Sequence, residues 1–198
     1  MNENVIIILA AGPSSRMQQP KQLLAYGNQS LLMHTIAEAQ KSLMPVVVVL
    51  GAYSEEIMAD ISDLEIDVVV NKNWKSGMAS SIKAGIEKAK AIYENMQNSI
   101  LAVCDQPYIS SVLFQELVDE KKRTRKNIVA CSYANTFGTP CLFDKKYFDE
   151  LLQLKGDHGA KHLLQKCSQD VASIHFEKGQ VDVDTKSDYE ELLKNQNK

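Results

Sequence analysis

Four nearly continuous apolar runs constrain the fold more than any other feature of the chain. They occupy residues 5–10, 46–50, 66–70 and 100–104. A strand with one wet face alternates apolar and polar residues, whereas a strand covered on both faces loses that alternation, as in parallel sheets sandwiched between helices. Helical patterns separate the runs. Ser30 can cap a helix carrying Leu31, Leu32, Ile36 and Ala39 at helical spacing. Ser54 with Glu55 and Glu56 puts acids in a first turn, and a long helix fits residues 79 to about 96. The alternation predicts an α/β fold, doubly wound, with a mostly parallel sheet and helices on both faces. The remainder is less regular. It suggests a helix over 111–122, a strand over 128–131 and another around 141–143. Helices around 145–154 and 160–166, a strand over 172–176 and a terminal helix from about 186 follow. Thr185 and Asp188 resemble a capping box at that last start.

With 198 residues, 44% of them hydrophobic, the chain suits one globular domain spanning residues 1–198. A net charge of -3 gives no global pull toward nucleic acid or an acidic membrane surface. No stretch approaches the roughly 20 apolar residues of a membrane span, and the first residues lack the basic start of a signal peptide. A cytoplasmic location is therefore expected. The four cysteines, Cys104, Cys131, Cys141 and Cys167, form no C-x-x-C pair and are expected to be structural thiols.

Ligands of open α/β sheets bind beyond the carboxyl ends of the strands. The loops that matter thus begin at Ala10, Gly51, Asn71 and Asp105. The first reads LAAGPSSRMQQPKQLL over residues 9–24, small at first and cationic afterwards. Leu9, Ala10, Ala11 and Gly12 leave room for a flat group near the backbone, and Ser14 and Ser15 offer hydroxyl donors. Arg16 supplies a planar fork suited to phosphate and Lys21 a compact charge. In an arbitrary loop these would be ordinary solvated charges. After the first buried strand they suggest a nucleoside triphosphate, base near the alanines and phosphates near the cations. There is no G-x-x-x-x-G-K-[ST], so this is not a P-loop enzyme, and no G-x-G-x-x-G follows a strand, which argues against a Rossmann dehydrogenase though not against a Rossmann-like sheet. Asp105 ends the run over 100–104, where a carboxylate can reach a cleft and hold magnesium, or simply serve a turn.

Residues 9–24 resemble the signature L-A-A-G-x-S-x-R-M-G-x-P-K-x-L-L of the MobA-like nucleotidyltransferases, and within them the molybdenum cofactor cytidylyltransferase branch. Further stretches match in order. Gly77-Met78-Ala79-Ser80-Ser81-Ile82 resembles G-M-x-x-S-L, and Asp105-Gln106-Pro107 resembles D-Q-P. Residues 156–161, beginning Gly156-Asp157, resemble G-D-x-G-A-R, and residues 182–185 resemble D-x-D-T. Gln18 stands where the family usually has glycine, leaving room for a different loop backbone. Lys161 replaces an arginine, and Lys186-Ser187 replace Pro-Glu.

The resemblance implies Mg²⁺-dependent transfer of CMP from CTP to the phosphate of molybdopterin, with loss of pyrophosphate. Arg16, Lys21 and Asp105 would be catalytic, and Asp105 with Asp184 would hold the metal, Asp182 being the alternative second ligand. The nucleotide would meet Leu9 to Gly12, Ser14, Gly77 and Ser81. The acceptor would meet Gly77, Met78, Gln106, Pro107, Gly138, Thr139, Pro140, Gly156 and Asp157. The small residues Gly138-Thr139-Pro140 would admit a flat pterin, or merely form a turn. A phosphate nucleophile is already ionised at neutral pH, so no general base is required, in keeping with the lack of a Ser-His-Asp or Cys-His set. A molybdoenzyme could receive the product. Two alternatives are a nucleotidyltransferase acting on another phosphorylated acceptor, such as a sugar phosphate, and a non-catalytic chaperone for the molybdenum cofactor. The triphosphate-and-metal residues argue against the second.

Three other features carry less. His158 and His162 are four apart but lack a glutamate in H-E-x-x-H register. The basic run over 121–126 suits the last turn of a helix. Trp74 fits packing and ligand stacking equally.

Overall fold

The computed structural model describes residues 3–157 and 159–196; His158 lies outside them. In chain order the elements are β1 (Asn4–Ala10), β2 (Ala25–Tyr26), β3 (Gln29–Ser30), α1 (Leu31–Lys41), β4 (Val46–Leu50), α2 (Ser54–Asp60), β5 (Asp67–Val70) and α3 (Met78–Ile92). Then come β6 (Asn98–Val103), α4 (Ser111–Thr124), β7 (Ile128–Tyr133), β8 (Thr136–Asp144), α5 (Phe148–Leu152), α6 (Lys161–Lys166), β9 (Val171–His175) and α7 (Lys186–Gln196).

Seven strands form one sheet in the order β5-β4-β1-β6-β8-β7-β9, and β2 pairs with β3 in a small hairpin. β8 alone runs against its neighbours, antiparallel to both β6 and β7. The other strand pairs of the sheet are parallel. This is the expected doubly wound architecture. β1 shows why its sequence lacks alternation. Ile6, Ile8 and Ala10 pack with Leu32 and Ile36 of α1 and Phe114 and Leu117 of α4. Val5, Ile7 and Leu9 pack on the opposite face with Ile82, Ile86 and Ala89 of α3 and Leu151 of α5. Each such aliphatic side chain, fully buried, contributes roughly 1.5–3 kcal/mol.

Local signals held at several ends. The Ser30 side chain accepts a hydrogen bond from the Met33 amide and caps α1. At α7 the Asp188 carboxylate accepts from the Thr185 amide at 2.7 Å, and the Asp188 amide donates back to the Thr185 hydroxyl at 3.3 Å, which closes the capping box. α2 starts at Ser54 with Glu55 and Glu56 in its first turn, as expected, and Tyr53 in the left-handed region precedes it. Elsewhere the structure corrects the sequence reading. α3 stops at Ile92, short of Met96, because the chain must turn to enter β6 at Asn98. β8 begins at Thr136, so Gly138-Thr139-Pro140 lie within a strand and not in a turn. Cys104, Cys131 and Cys141 are buried free thiols, as expected, and Cys167 is partly buried. Among the described residues no helix is long and apolar enough to cross a membrane.

Candidate active site

The loop after β1 is held in shape by one residue that the sequence reading passed over. Gln22 is buried, and its amide nitrogen donates to the Ala10 carbonyl at 2.9 Å and the Gly12 carbonyl at 3.0 Å. Ser14 is tied into the same knot, its hydroxyl accepting from the Lys21 amide at 3.0 Å and donating to Gln22 Oε1 at 3.3 Å. The Ser14 hydroxyl thus serves the loop and does not line the cleft. Gln18 has φ of 57°, the left-handed backbone that glycine adopts most easily. The change from the family's usual glycine therefore keeps a glycine-type backbone, at a cost in strain.

The knot points Lys21 at two carboxylates from distant parts of the chain. Asp105 follows β6, and its carbonyl accepts a 2.9 Å hydrogen bond from the Val183 amide. That bond lays residues 182–184 across the end of β6. Lys21 Nζ then contacts Asp105 Oδ2 at 2.5 Å and Asp184 Oδ1 at 2.9 Å, while Arg16 contacts Asp184 Oδ2 at 2.6 Å. The four charges form a ladder, Asp105–Lys21–Asp184–Arg16. Lys21 is only 15% exposed at its side chain, and Arg16 is 66% exposed. Burial works against the charge on Lys21, but Asp105 and Asp184 outweigh it and raise its pKa above the ordinary lysine value. Burial likewise opposes ionisation of Asp184, and Lys21 and Arg16 overcome it and lower its pKa. Asp182 is exposed as a residue, yet partial desolvation of its carboxyl, with the negative charges of Asp184 and Asp105 nearby, pushes its pKa up.

A cleft of about 380 Å³ opens beside the ladder. It brings together Leu9, Ala10, Ala11, Gly12, Lys21, Gly77, Met78, Ser81, Asp105 and Asp157 from the sequence-derived set. Gln22, Trp74 and Lys75 line it too and had not been assigned. Gly77 is required where it stands. Its φ is +92°, and a Cβ would come within 2.5 Å of the Gly156 backbone and the Asp157 carboxylate. The Gly156 carbonyl also accepts from the Ala79 amide at 3.1 Å, so residues 156–157 rest on the start of α3. Gly12 differs, since a Cβ built there meets nothing within 4 Å. Ala11 is 5% exposed, and a Cβ on Gly51 would stand 2.8 Å from its methyl. The Ala11 side chain is therefore packed toward the end of β4, and it narrows the cleft less directly than its sequence position suggests.

A second cleft of about 590 Å³ adjoins the first and shares Met78, Val103 and Asp157 with it. Tyr133, Phe137, Gly138, Thr139, Lys161 and His162 are among its walls. The space that Gly138 leaves is not open to a flat ligand, because a Cβ there would fall 2.0 Å from the Tyr133 hydroxyl. The Tyr133 ring fills it. Gln106 is buried and lines neither cleft. Its amide nitrogen donates to the Gly179 carbonyl and the Tyr133 hydroxyl, and its oxygen accepts from Thr139 at 3.0 Å. Pro107 is buried beside it, and Pro140 is buried in β8.

The donor set at the ladder fits a small divalent cation. Asp105 and Asp184 already share one cationic atom, and magnesium is commonly held by one or two carboxylates, with water and phosphate oxygens completing its shell. Among the described residues no group of three or more His, Cys, Asp or Glu gathers as a self-sufficient metal site. A cation here would depend on oxygens brought by a ligand.

The sequence profile of the MobA-like NTP transferase domain matches residues 6–171. The chain belongs to this family of nucleotidyltransferases. The bifunctional protein GlmU of Buchnera aphidicola subsp. Schizaphis graminum is 32% identical over 144 residues, which are 71% of this chain and 30% of that protein. The chain thus spans under a third of the length of that relative. The nicotine blue oxidoreductase of Paenarthrobacter nicotinovorans is 28% identical over 172 residues, covering 81% of this chain and 80% of the relative. Among solved structures, Rv0371c of Mycobacterium tuberculosis H37Rv superposes with a TM-score of 0.85 at 28% identity, covering 98% of each chain. A further structure of that protein, in complex with manganese, gives 0.80 at 26% identity, covering 98% and 99%.

Proposed function

We propose that this chain is a magnesium-dependent cytidylyltransferase that transfers CMP from CTP to the phosphate of a molybdopterin-type acceptor and releases pyrophosphate. On this reading residues 1–198 act as one domain in the cytoplasm, and the product passes to a molybdoenzyme. The observation that carries the reading is the half-buried ladder at the mouth of the first cleft. Burying charge is costly, and this ladder joins three loops at the carboxyl ends of strands, where the sheet binds ligands.

The first cleft would take the nucleotide. Leu9 to Gly12 would lie against the base and ribose, with Gly77 and Ser81 opposite. Lys21 and Arg16 would face the triphosphate, Lys21 as a point charge and Arg16 as a fork. Asp105 and Asp184 would hold the metal, which when bound polarises phosphate oxygens and neutralises charge on them. The second cleft, with Met78 and Phe137 among its walls, would take the acceptor, its phosphate turned toward the first cleft. Positioning and charge neutralisation dominate such transfers, so two fixed clefts meeting at Met78, Val103 and Asp157 are the main catalytic device. The complex of Rv0371c with manganese supports a divalent cation in this setting. The resemblance of residues 9–24 to the cytidylyltransferase branch supports cytidine.

The acceptor is tested by incubating the protein with α-labelled CTP and, separately, molybdopterin and a panel of sugar phosphates. The reading expects a labelled dinucleotide only with molybdopterin. Label transferred to a sugar phosphate instead would replace the acceptor and leave the reaction class standing.

A further inference from the structure

Lys21 occupies the place that a metal needs. Its ammonium nitrogen lies 2.5 Å from Asp105 Oδ2 and 2.9 Å from Asp184 Oδ1, and the second oxygen of Asp184 is taken by Arg16. A magnesium ion binds carboxylate oxygens at about 2.0–2.1 Å. An ion bridging the same two oxygens would therefore fall almost on the ammonium, and two cations at that separation repel strongly in a half-buried site. Lys21 is also a wall of the first cleft. Released from the carboxylates, it needs a new anion, and the cleft is where one would be.

We propose that Lys21 is a resident counter-ion that guards the metal site, so that metal and triphosphate bind cooperatively by exchange of this one ammonium. The inference rests on the metal site proposed above. Without nucleotide, Lys21 neutralises Asp105 and Asp184 and competes with the metal. When a triphosphate enters, Lys21 swings to it and leaves both carboxylates to the cation. The coupling is reciprocal, since whatever the nucleotide adds to metal affinity the metal adds to nucleotide affinity. The device keeps the two carboxylates from repelling each other in the empty enzyme, and it disfavours loading of the metal before the substrate.

The test is a titration of Mn²⁺ into nucleotide-free protein, with free Mn²⁺ followed by electron paramagnetic resonance. Lys21→Met keeps the length of the stem and removes the charge. It should bind Mn²⁺ at least about tenfold more tightly than the unsubstituted protein, and Mn²⁺ should raise its unfolding temperature by more. Affinity that is unchanged or weaker in Lys21→Met overturns the inference. Lys21→Gln gives the same comparison should the methionine variant not fold. Asp105→Asn and Asp184→Asn separate the two levels. If both variants lose Mn²⁺ binding while Lys21→Met gains none, the metal site stands and the exchange fails. If neither alters Mn²⁺ binding, the metal site itself is wrong and the exchange falls with it.

Discussion

Gly12→Ala separates what the fold needs from what the ligand needs. A Cβ at Gly12 meets nothing within 4 Å, and Gly12 is not among the positive-φ residues. Folding therefore places no demand for glycine there. Replacing such a glycine stabilises by about 0.4–1 kcal/mol through the unfolded chain. In a protein of this size that is a rise in unfolding temperature of about 1–4 °C. Gly12 nevertheless lines the first cleft, where its backbone is held by Gln22. If a nucleotide lies against that backbone, the added methyl overpacks the contact at a cost of about 1–3 kcal/mol. That is a loss of roughly 5- to 150-fold in CTP affinity. Thermal unfolding without ligand and calorimetric titration with CTP are the two assays. Unchanged CTP affinity would refute the placement of the nucleotide, and a lowered unfolding temperature would refute the open space. Gly51→Ala is the opposite control. Its Cβ would stand 2.7 Å from the Ala11 carbonyl and from the Trp74 Cβ, so it should destabilise the protein whether or not CTP is present.

Three further outcomes follow from the geometry. Asp105→Asn keeps the shape at the end of β6 and removes a ladder charge, so turnover at limiting magnesium should fall by at least about tenfold, or ~1.4 kcal/mol; near-normal turnover would reject its role. Gln18→Gly should relieve left-handed strain of about 1–2 kcal/mol, less the entropy that glycine adds to the unfolded chain, and raise the unfolding temperature; a fall would show that the Gln18 side chain repays its strain. Asp170 gives the acid limb of stability. Burial opposes its ionisation, but hydrogen bonds from Asn127 and Tyr147 and the Lys146 ammonium outweigh it and depress its pKa. A depressed carboxyl contributes stability that is complete above its unfolded pKa, near 3.8, and is lost as pH falls toward its folded value. Asp170→Asn should therefore destabilise at pH 7 and flatten the loss of stability below pH ~4, measured by denaturant unfolding across that range; an unchanged acid limb would contradict this.

The central strands were legible because burial on both faces erases alternation, and β1, β4 and β6 are buried along nearly all their length. β8 was legible only where Cys141, Leu142 and Phe143 are apolar. Its first half holds Gly138 and Pro140, which read as a turn, yet it pairs with β7 across an irregularity at Ala130/Cys131. The small-then-cationic loop marked the first cleft from sequence. Its anchor Gln22 did not stand out, because a glutamine that satisfies two carbonyls twelve and ten residues away leaves no periodic trace. The pairing of Asp105 with Asp184 rests on one backbone hydrogen bond between residues far apart in sequence, Val183 to Asp105. Local patterns carry no record of such a contact, although the resemblance of residues 182–185 to a family motif pointed to Asp184 itself. Tyr133 filling the space over Gly138 was illegible for the same reason.

Pyrophosphate release with CTP, GTP and ATP, each with the same molybdopterin acceptor, tests the central claim most directly. The account predicts acceptor-dependent release with kcat/KM for CTP at least about tenfold above that for GTP, since base selectivity beyond a single methyl contact is expected from the whole pocket. Release favouring GTP would contradict the cytidylyltransferase assignment, and no release with any of the three would contradict the assignment of these clefts to nucleotidyl transfer.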